Sequence, residues 1–238
     1  MIKKYLLFFS VILPFLSCET LSSLPTVSSG TVTQVEAGQG IREALAQGTT
    51  TAILNLNKEN GFFGNEFYKV LLPPEAQNVE NTLRKLGLGK QVDKAILQIN
   101  RAAEDAVGYA RPVFVDAIKQ MTIADAINIV RGEKNAATNY FRTKTGAQLI
   151  QAFSPSVRNS LDKLEATRYY GDIIKLYNNL PTVSKKLDPD LSAYVVGKAT
   201  DALFDQIAKE EINIRENPVA RTTEILKRVF GSSSLRTF

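Results

Sequence analysis

The chain has 238 residues, 44% of them hydrophobic and 22% charged, with 14 Gly and 9 Pro. That composition excludes collagen-like, low-complexity and disordered chains, and the length suffices for a core without disulfides or metals. There is no His, no Trp and one Cys, which removes His-based triads, His metal sites, an intrachain disulfide and a thiolate zinc site, so no metal or cofactor is expected. The net charge of +5 is spread without a long run of one sign, so no nucleic-acid partner is expected either.

Residues 1–17 begin Met1-Ile-Lys-Lys4 and continue as an apolar stretch from Tyr5 to Leu16. Two positive charges followed by roughly a dozen apolar residues make a secretory signal, since a spanning helix needs roughly 20. The segment Phe15-Leu-Ser-Cys18 resembles the lipobox of bacterial lipoproteins, with Phe15 where Leu is commoner. The resemblance implies cleavage before Cys18, the chain's one thiol, and a diacylglycerol on its sulfur. A membrane anchored to Cys18 is thus the first expected partner, durable with two or more acyl chains because each buried methylene contributes about 0.8 kcal/mol. Glu19 after the cysteine implies, by resemblance to enterobacterial sorting, an outer membrane, with the protein facing the periplasm or the cell surface. Residues 18–34 are rich in Ser and Thr, the composition of a flexible tether.

From Val35 the apolar period is helical almost throughout, and one all-α domain is expected over residues 35–231, with a loose Ser-rich tail at 232–238. Ile41, Leu45, Ala52 and Leu56 stripe a first helix that stops at Asn60-Gly61. Residues 67–72 are the one place for a short extended segment, ended by Pro73-Pro74. A helix from Glu75 to Leu86 follows, stopped by Gly87 and Gly89, a better reading of that glycine pair than a phosphate loop. The clearest stripe is Val92, Ile96, Ile99, Ala103, Val107 and Ala110; a second run after Pro112 carries Phe114, Ala117, Ile118 and Met121 and is expected to pack beside it. Thr122-Ile-Ala-Asp125 reads as a capping box opening a helix that closes at Gly132. Ala136 to Phe141 belongs to the next helix, and Thr145 to Leu164 to one interrupted near Pro155. Tyr169 to Leu180 is expected to turn Ile173, Leu176 and Tyr177 inward. Asp188-Pro189-Asp190 caps a long helix striped by Leu191, Val195, Ala199, Ala202, Leu203 and Ile207, and Asn217-Pro218 opens the last, with Ile225, Leu226 and Val229 inward. The sum is an irregular bundle of roughly ten helices.

Ile99-Asn-Arg-Ala-Ala-Glu104, Met121-Thr-Ile-Ala-Asp-Ala126, Ala136-Ala-Thr-Asn-Tyr-Phe141, Phe153-Ser-Pro155 and Ile225-Leu-Lys-Arg-Val-Phe-Gly231 occur in that order. Together they resemble the bacterial family catalogued as domain of unknown function 4197, over about Gly40 to Gly231. The resemblance implies export, frequent lipid anchoring and a helical fold, and carries over no catalytic residue.

On the best-striped helix, Asn100 and Glu104 share a face, and Arg101 reaches Glu104 or Asp105 at spacings that form local ion pairs. If that face turns inward, Glu104 needs a partner, for which Arg142, Thr138 and the Asn100 amide are candidates. Asn100, Arg101, Glu104, Asp125, Thr138 and Tyr140 thus form either a ligand pocket or a structural hydrogen-bond network. The adjacent Ser184-Lys185 does not share a helical face. A binding or interaction module with an envelope protein partner is the leading reading. A carboxylate-dependent hydrolase of envelope glycans, with Glu104 and Asp125 at the required 5 to 10 Å or so, and a carrier of an apolar ligand among the alanines are the alternatives. The sequence sets no oligomeric state.

Overall fold

A computed structural model describes residues 32–181, 183, 186–187 and 190–231. The signal segment, Cys18, most of the tether, Ser184-Lys185, Asp188-Pro189 and the tail 232–238 lie outside the described residues. Thr33 starts the first helix with a capping box: its hydroxyl accepts from the Glu36 N–H at 3.2 Å, and the Glu36 carboxylate accepts from the Thr33 N–H at 2.9 Å. Among the described residues there are nine α-helices, three 3-10 turns and no strand.

The helices are α1 (Gln34–Asn57), α2 (Gln77–Lys85), α3 (Gly89–Val107), α4 (Arg111–Gln120) and α5 (Ile123–Arg131). There follow α6 (Ala136–Lys163), α7 (Ala166–Asn178), α8 (Ser192–Glu216) and α9 (Glu224–Gly231). The long helices α1, α3, α6 and α8 form the centre, with α8 against α6 and α1, and α3 against α6, α1 and α8. The shorter ones cover them: α2 and α7 on α3, α4 on α1 and α6, α5 and α9 on α1. The described residues form one packed unit.

The stripe expected on α3 is buried along its length, and Ala95, Ala102 and Ala106 on flanking positions are buried with it. Small side chains let five neighbouring helices approach α3 closely, which accounts for its alanines. At Gly40 on α1 the approach is tighter still, since a Cβ there would lie 2.6 Å from Val229 Cγ2 on α9. Phe114 on α4 meets Phe141 on α6 and Phe204 on α8, at ring-centroid distances of 5.4 and 6.1 Å, geometry that tilted and edge-on aromatic pairs favour.

Five expectations need correction. The segments expected as two helices, one holding Ala136 to Phe141 and one starting at Thr145, form a single helix, α6. α6 is continuous through Pro155: the proline and Gln151, whose carbonyl loses its partner, face solvent, while Phe153 and Val157 beside them are fully buried. On that exposed side the carbonyl is open to solvent, and core packing holds the helix together. α4 packs on α1 and α6, not beside α3, because the 3-10 turn Gly108–Ala110 redirects the chain. Leu176 is exposed, and α7 buries Tyr170, Ile173 and Ile174 instead. Asn217 caps only a 3-10 turn, Pro218–Ala220, before α9 begins at Glu224. The capping box at Thr122 and Asp125 and the stop at Gly132 stand as expected.

Candidate functional site

The loop between α1 and α2 carries no helical period, and polar groups of α3 hold it in place. Glu104 is almost wholly buried, and its Oε1 accepts the backbone N–H groups of Phe62 and Phe63, each at 3.1 Å. Its Oε2 pairs with Arg101 at 2.6 Å, and Arg101 continues to Glu59 at 3.1 Å and Asn60 at 3.0 Å. Asn100, fully buried, accepts from the Val70 N–H at 2.8 Å and donates to the Val70 carbonyl at 2.7 Å. Asn57 donates to the Glu104 carbonyl at 2.7 Å. Asn60 turns the chain in the left-handed region, at φ 66°, and Gly61 follows where a Cβ would lie 2.3 Å from the Leu56 carbonyl oxygen. A buried, paired carboxylate and a buried amide thus replace the ladder bonds that the loop lacks.

This loop walls an open cleft of about 510 Å³ against α2 and α8, a volume in the range of ligand sites. Phe67 on its rim is 86% exposed and Leu71 is 50% exposed, with Tyr194 on the opposite wall. Tyr68 donates to Asp205 at 2.6 Å, while Lys209 lies 2.7 Å from the tyrosine oxygen and 2.8 Å from the carboxylate. Burial pushes the Tyr68 hydroxyl up, and Asp205 adds to that. Burial also pushes Asp205 up, but the hydrogen bonds and charges of Lys209, Tyr68 and Arg142 outweigh it and hold the carboxyl below its usual range. Asp201, one turn before Asp205, pairs with Arg142 at 3.0 Å. Lys69 and Lys198 also line the cleft.

The six polar residues marked by the sequence fall into three groups that share no hydrogen bond. Asn100, Arg101 and Glu104 fasten the loop. Asp125 accepts from Thr122 within the capping box and from the Tyr140 hydroxyl at 3.2 Å; the Thr122 bonds hold its carboxyl below the usual range. Thr138 meets Glu211 on α8, whose carboxylate accepts the Ala137 N–H at 2.9 Å and both the Thr138 N–H and hydroxyl at 2.8 Å. Arg215 completes that site at 2.8 Å from Glu211. The candidate partners for Glu104 are therefore replaced: Arg142 pairs with Asp201, Thr138 with Glu211, and Asn100 with Val70. Glu211 was legible as a carboxylate on the α8 stripe, four residues after Ile207 and four before Arg215. Phe67, Tyr68 and Asp205 were not, because nothing local brings a loop and a helix so distant in sequence together.

The chemistry open to these groups is narrow. A glycosidase needs one carboxyl kept protonated near neutral pH, whereas Asp205 is shifted the opposite way and Asp201 is ion-paired. The apolar pocket among α1, α6 and α8, lined by Ile41, Leu45, Ala137 and Ile207, has about 10 Å³, room for about one water. Among the described residues no acidic cluster is placed to hold a metal ion, and no helix is long and apolar enough to cross a membrane.

Fold and site together define an all-α bundle that presents an open, aromatic-rimmed cleft on a fastened loop. The chain belongs to the family described as protein of unknown function (DUF4197), which matches residues 31–231. Neither a curated protein nor a solved structure matches it.

Proposed function

We propose that the protein is a lipid-anchored protein of the bacterial cell envelope that acts as a binding module, held to the membrane by acylated Cys18 and engaging an envelope protein through the cleft beside Phe67. The observation that carries the binding half is a conflict within one loop. Four hydrogen bonds to Glu104 and Asn100, three of them buried, fasten it, yet it holds Phe67 at 86% exposure. A large apolar ring held on an immobilised segment, rather than on a frayed end, has the character of a binding anchor, since little entropy is lost when a partner covers it. The lipid half rests on the signal pattern of residues 1–17 and the one cysteine after it.

Two measurements in the native host test the halves separately. Labelled palmitate is expected in the wild-type chain and absent from Cys18→Ser, which moves from the membrane pellet to the soluble fraction; label retained by the variant contradicts the anchor. A photo-crosslinking residue at position 67 is expected to capture a discrete envelope protein. The same residue at Val219, which is 87% exposed away from the cleft lining, is expected to capture none. Equal capture at the two positions contradicts the cleft.

A further inference from the structure

The wall of the cleft has the side-chain pattern of a β-strand without the neighbour that a strand requires. From residue 67 to 72 exposure alternates, Phe67, Lys69 and Leu71 facing out and Tyr68, Val70 and Leu72 buried; Phe67 and Tyr68 sit in a turn whose Lys69 N–H donates to the Asn65 carbonyl at 2.8 Å, and the extended part runs on from Lys69. That is the period of a strand with one face on a core. Asn100 engages both the N–H and the C=O of Val70, which one side-chain amide can do only if Val70 is extended. It stands where a neighbouring strand would exchange both bonds. Peptide groups flanking an extended residue point to the other edge, and there the Leu71 N–H and C=O have no hydrogen-bond partner among the described residues. Leu71 lines the cleft, so this open edge and the cleft are one place.

The charges of the cleft are arranged unequally. Both lining carboxylates are occupied, Asp201 by Arg142 and Asp205 by Lys209 and Tyr68. Among the described residues neither lining ammonium has a carboxylate within ion-pair distance: Lys69 lies over the Phe63 ring at 4.4 Å and Lys198 over the Tyr194 ring at 5.7 Å. An incoming anion gains an unoccupied partner, and an incoming cation finds none.

Resting on the reading of the cleft as the binding surface, we propose that its occupant is an extended, acidic segment of a partner protein. The segment adds as a strand to the Leu71 edge and sets a carboxylate against Lys69 and Lys198. Backbone pairing supplies affinity, the rim formed by Phe67 and Leu71 takes alternate apolar side chains, and the two lysines select for acid, as in other cases of strand addition.

The test uses the full chain in detergent and three fluorescein-labelled heptapeptides, with binding read by anisotropy. One alternates valine with glutamate, one valine with lysine, and the third is the glutamate peptide with alternate backbone nitrogens methylated. The glutamate peptide is expected to bind at least about tenfold more tightly than either of the others, the discrimination of one good charged or backbone contact. Lys69→Glu combined with Lys198→Glu is expected to reverse the charge preference. Leu71→Pro, which removes an N–H that bonds nothing among the described residues, is expected to weaken glutamate-peptide binding about tenfold while leaving the melting temperature unchanged. Equal binding of the glutamate and lysine peptides, indifference to methylation, or no binding by any of the three overturns strand addition. If crosslinking at position 67 persists in that event, the cleft still binds a partner, by another mode; if it too is lost, both readings fail.

Discussion

Glu104→Ala is expected to lower unfolding stability by about 3–5 kcal/mol, the range for removing one member of a buried ion pair. The carboxylate is nearly inaccessible and serves three donors at once, the Phe62 and Phe63 N–H groups and the Arg101 guanidinium. Truncation strands all three: Phe62 is fully buried, so its amide has no water to turn to, and Arg101 keeps only its outer contacts with Glu59 and Asn60. Glu104→Gln retains one acceptor oxygen and is expected to cost less, about 1–3 kcal/mol. Urea unfolding followed by circular dichroism measures both, and a loss below about 1 kcal/mol for the alanine variant would show that water replaces the carboxylate. Because the loop is the cleft wall, crosslinking at position 67 is expected to fall in both variants.

Glu211→Ala is the second large effect, again about 3–5 kcal/mol, at the opposite side of α6. The N-cap of α6, Asn135, makes no capping bond with its own side chain, and while the Ala136 N–H donates to the Glu133 carbonyl at 3.0 Å, the next two amides of this 28-residue helix need an acceptor from outside it. Glu211 accepts those of Ala137 and Thr138 from across the α6–α8 interface, adding a negative charge at the positive end of the helix. Arg215 ties the same carboxylate to α5 through the Ile129 carbonyl at 2.9 Å, so α5, α6 and α8 meet at one acid. Thermal unfolding of Glu211→Ala and Glu211→Gln measures this, with the alanine variant expected to melt well below the glutamine variant. Equal melting temperatures would make the charge irrelevant to the cap.

What the sequence makes legible here follows the range of the forces involved. The α3 stripe, the Thr122–Asp125 capping box and the Arg101–Glu104 pair are each set by residues within a turn or two, and each is found. Pro155 and Leu176 escape because a local rule yields to packing: a proline on an exposed face is tolerated, and the buried face of α7 is chosen by α3. The polar residues are legible as a set that needs partners but not as three separate sites, since Glu104, Asn100 and Thr138 find theirs 30 or more residues away and Asp125 meets Tyr140 across 15. The cleft is the least legible part. Its loop has no helical period, and its alternation over 67–72 suggests an extended segment without showing that 67–68 close a turn or that the partner of Val70 is an asparagine side chain.

Buried groups of α3 hold an extended wall with one edge satisfied and the other open. Amide hydrogen exchange at two adjacent residues tests it. The Val70 amide, held by Asn100 at 2.8 Å, is expected to exchange as slowly as core amides of α3, through global unfolding, and the Leu71 amide within the range of open loops. Asn100→Ala is expected to bring Val70 up to the rate of Leu71. Comparable rates at Val70 and Leu71 in the wild-type protein would contradict the account, because the loop would then be unfastened and the cleft without a fixed wall.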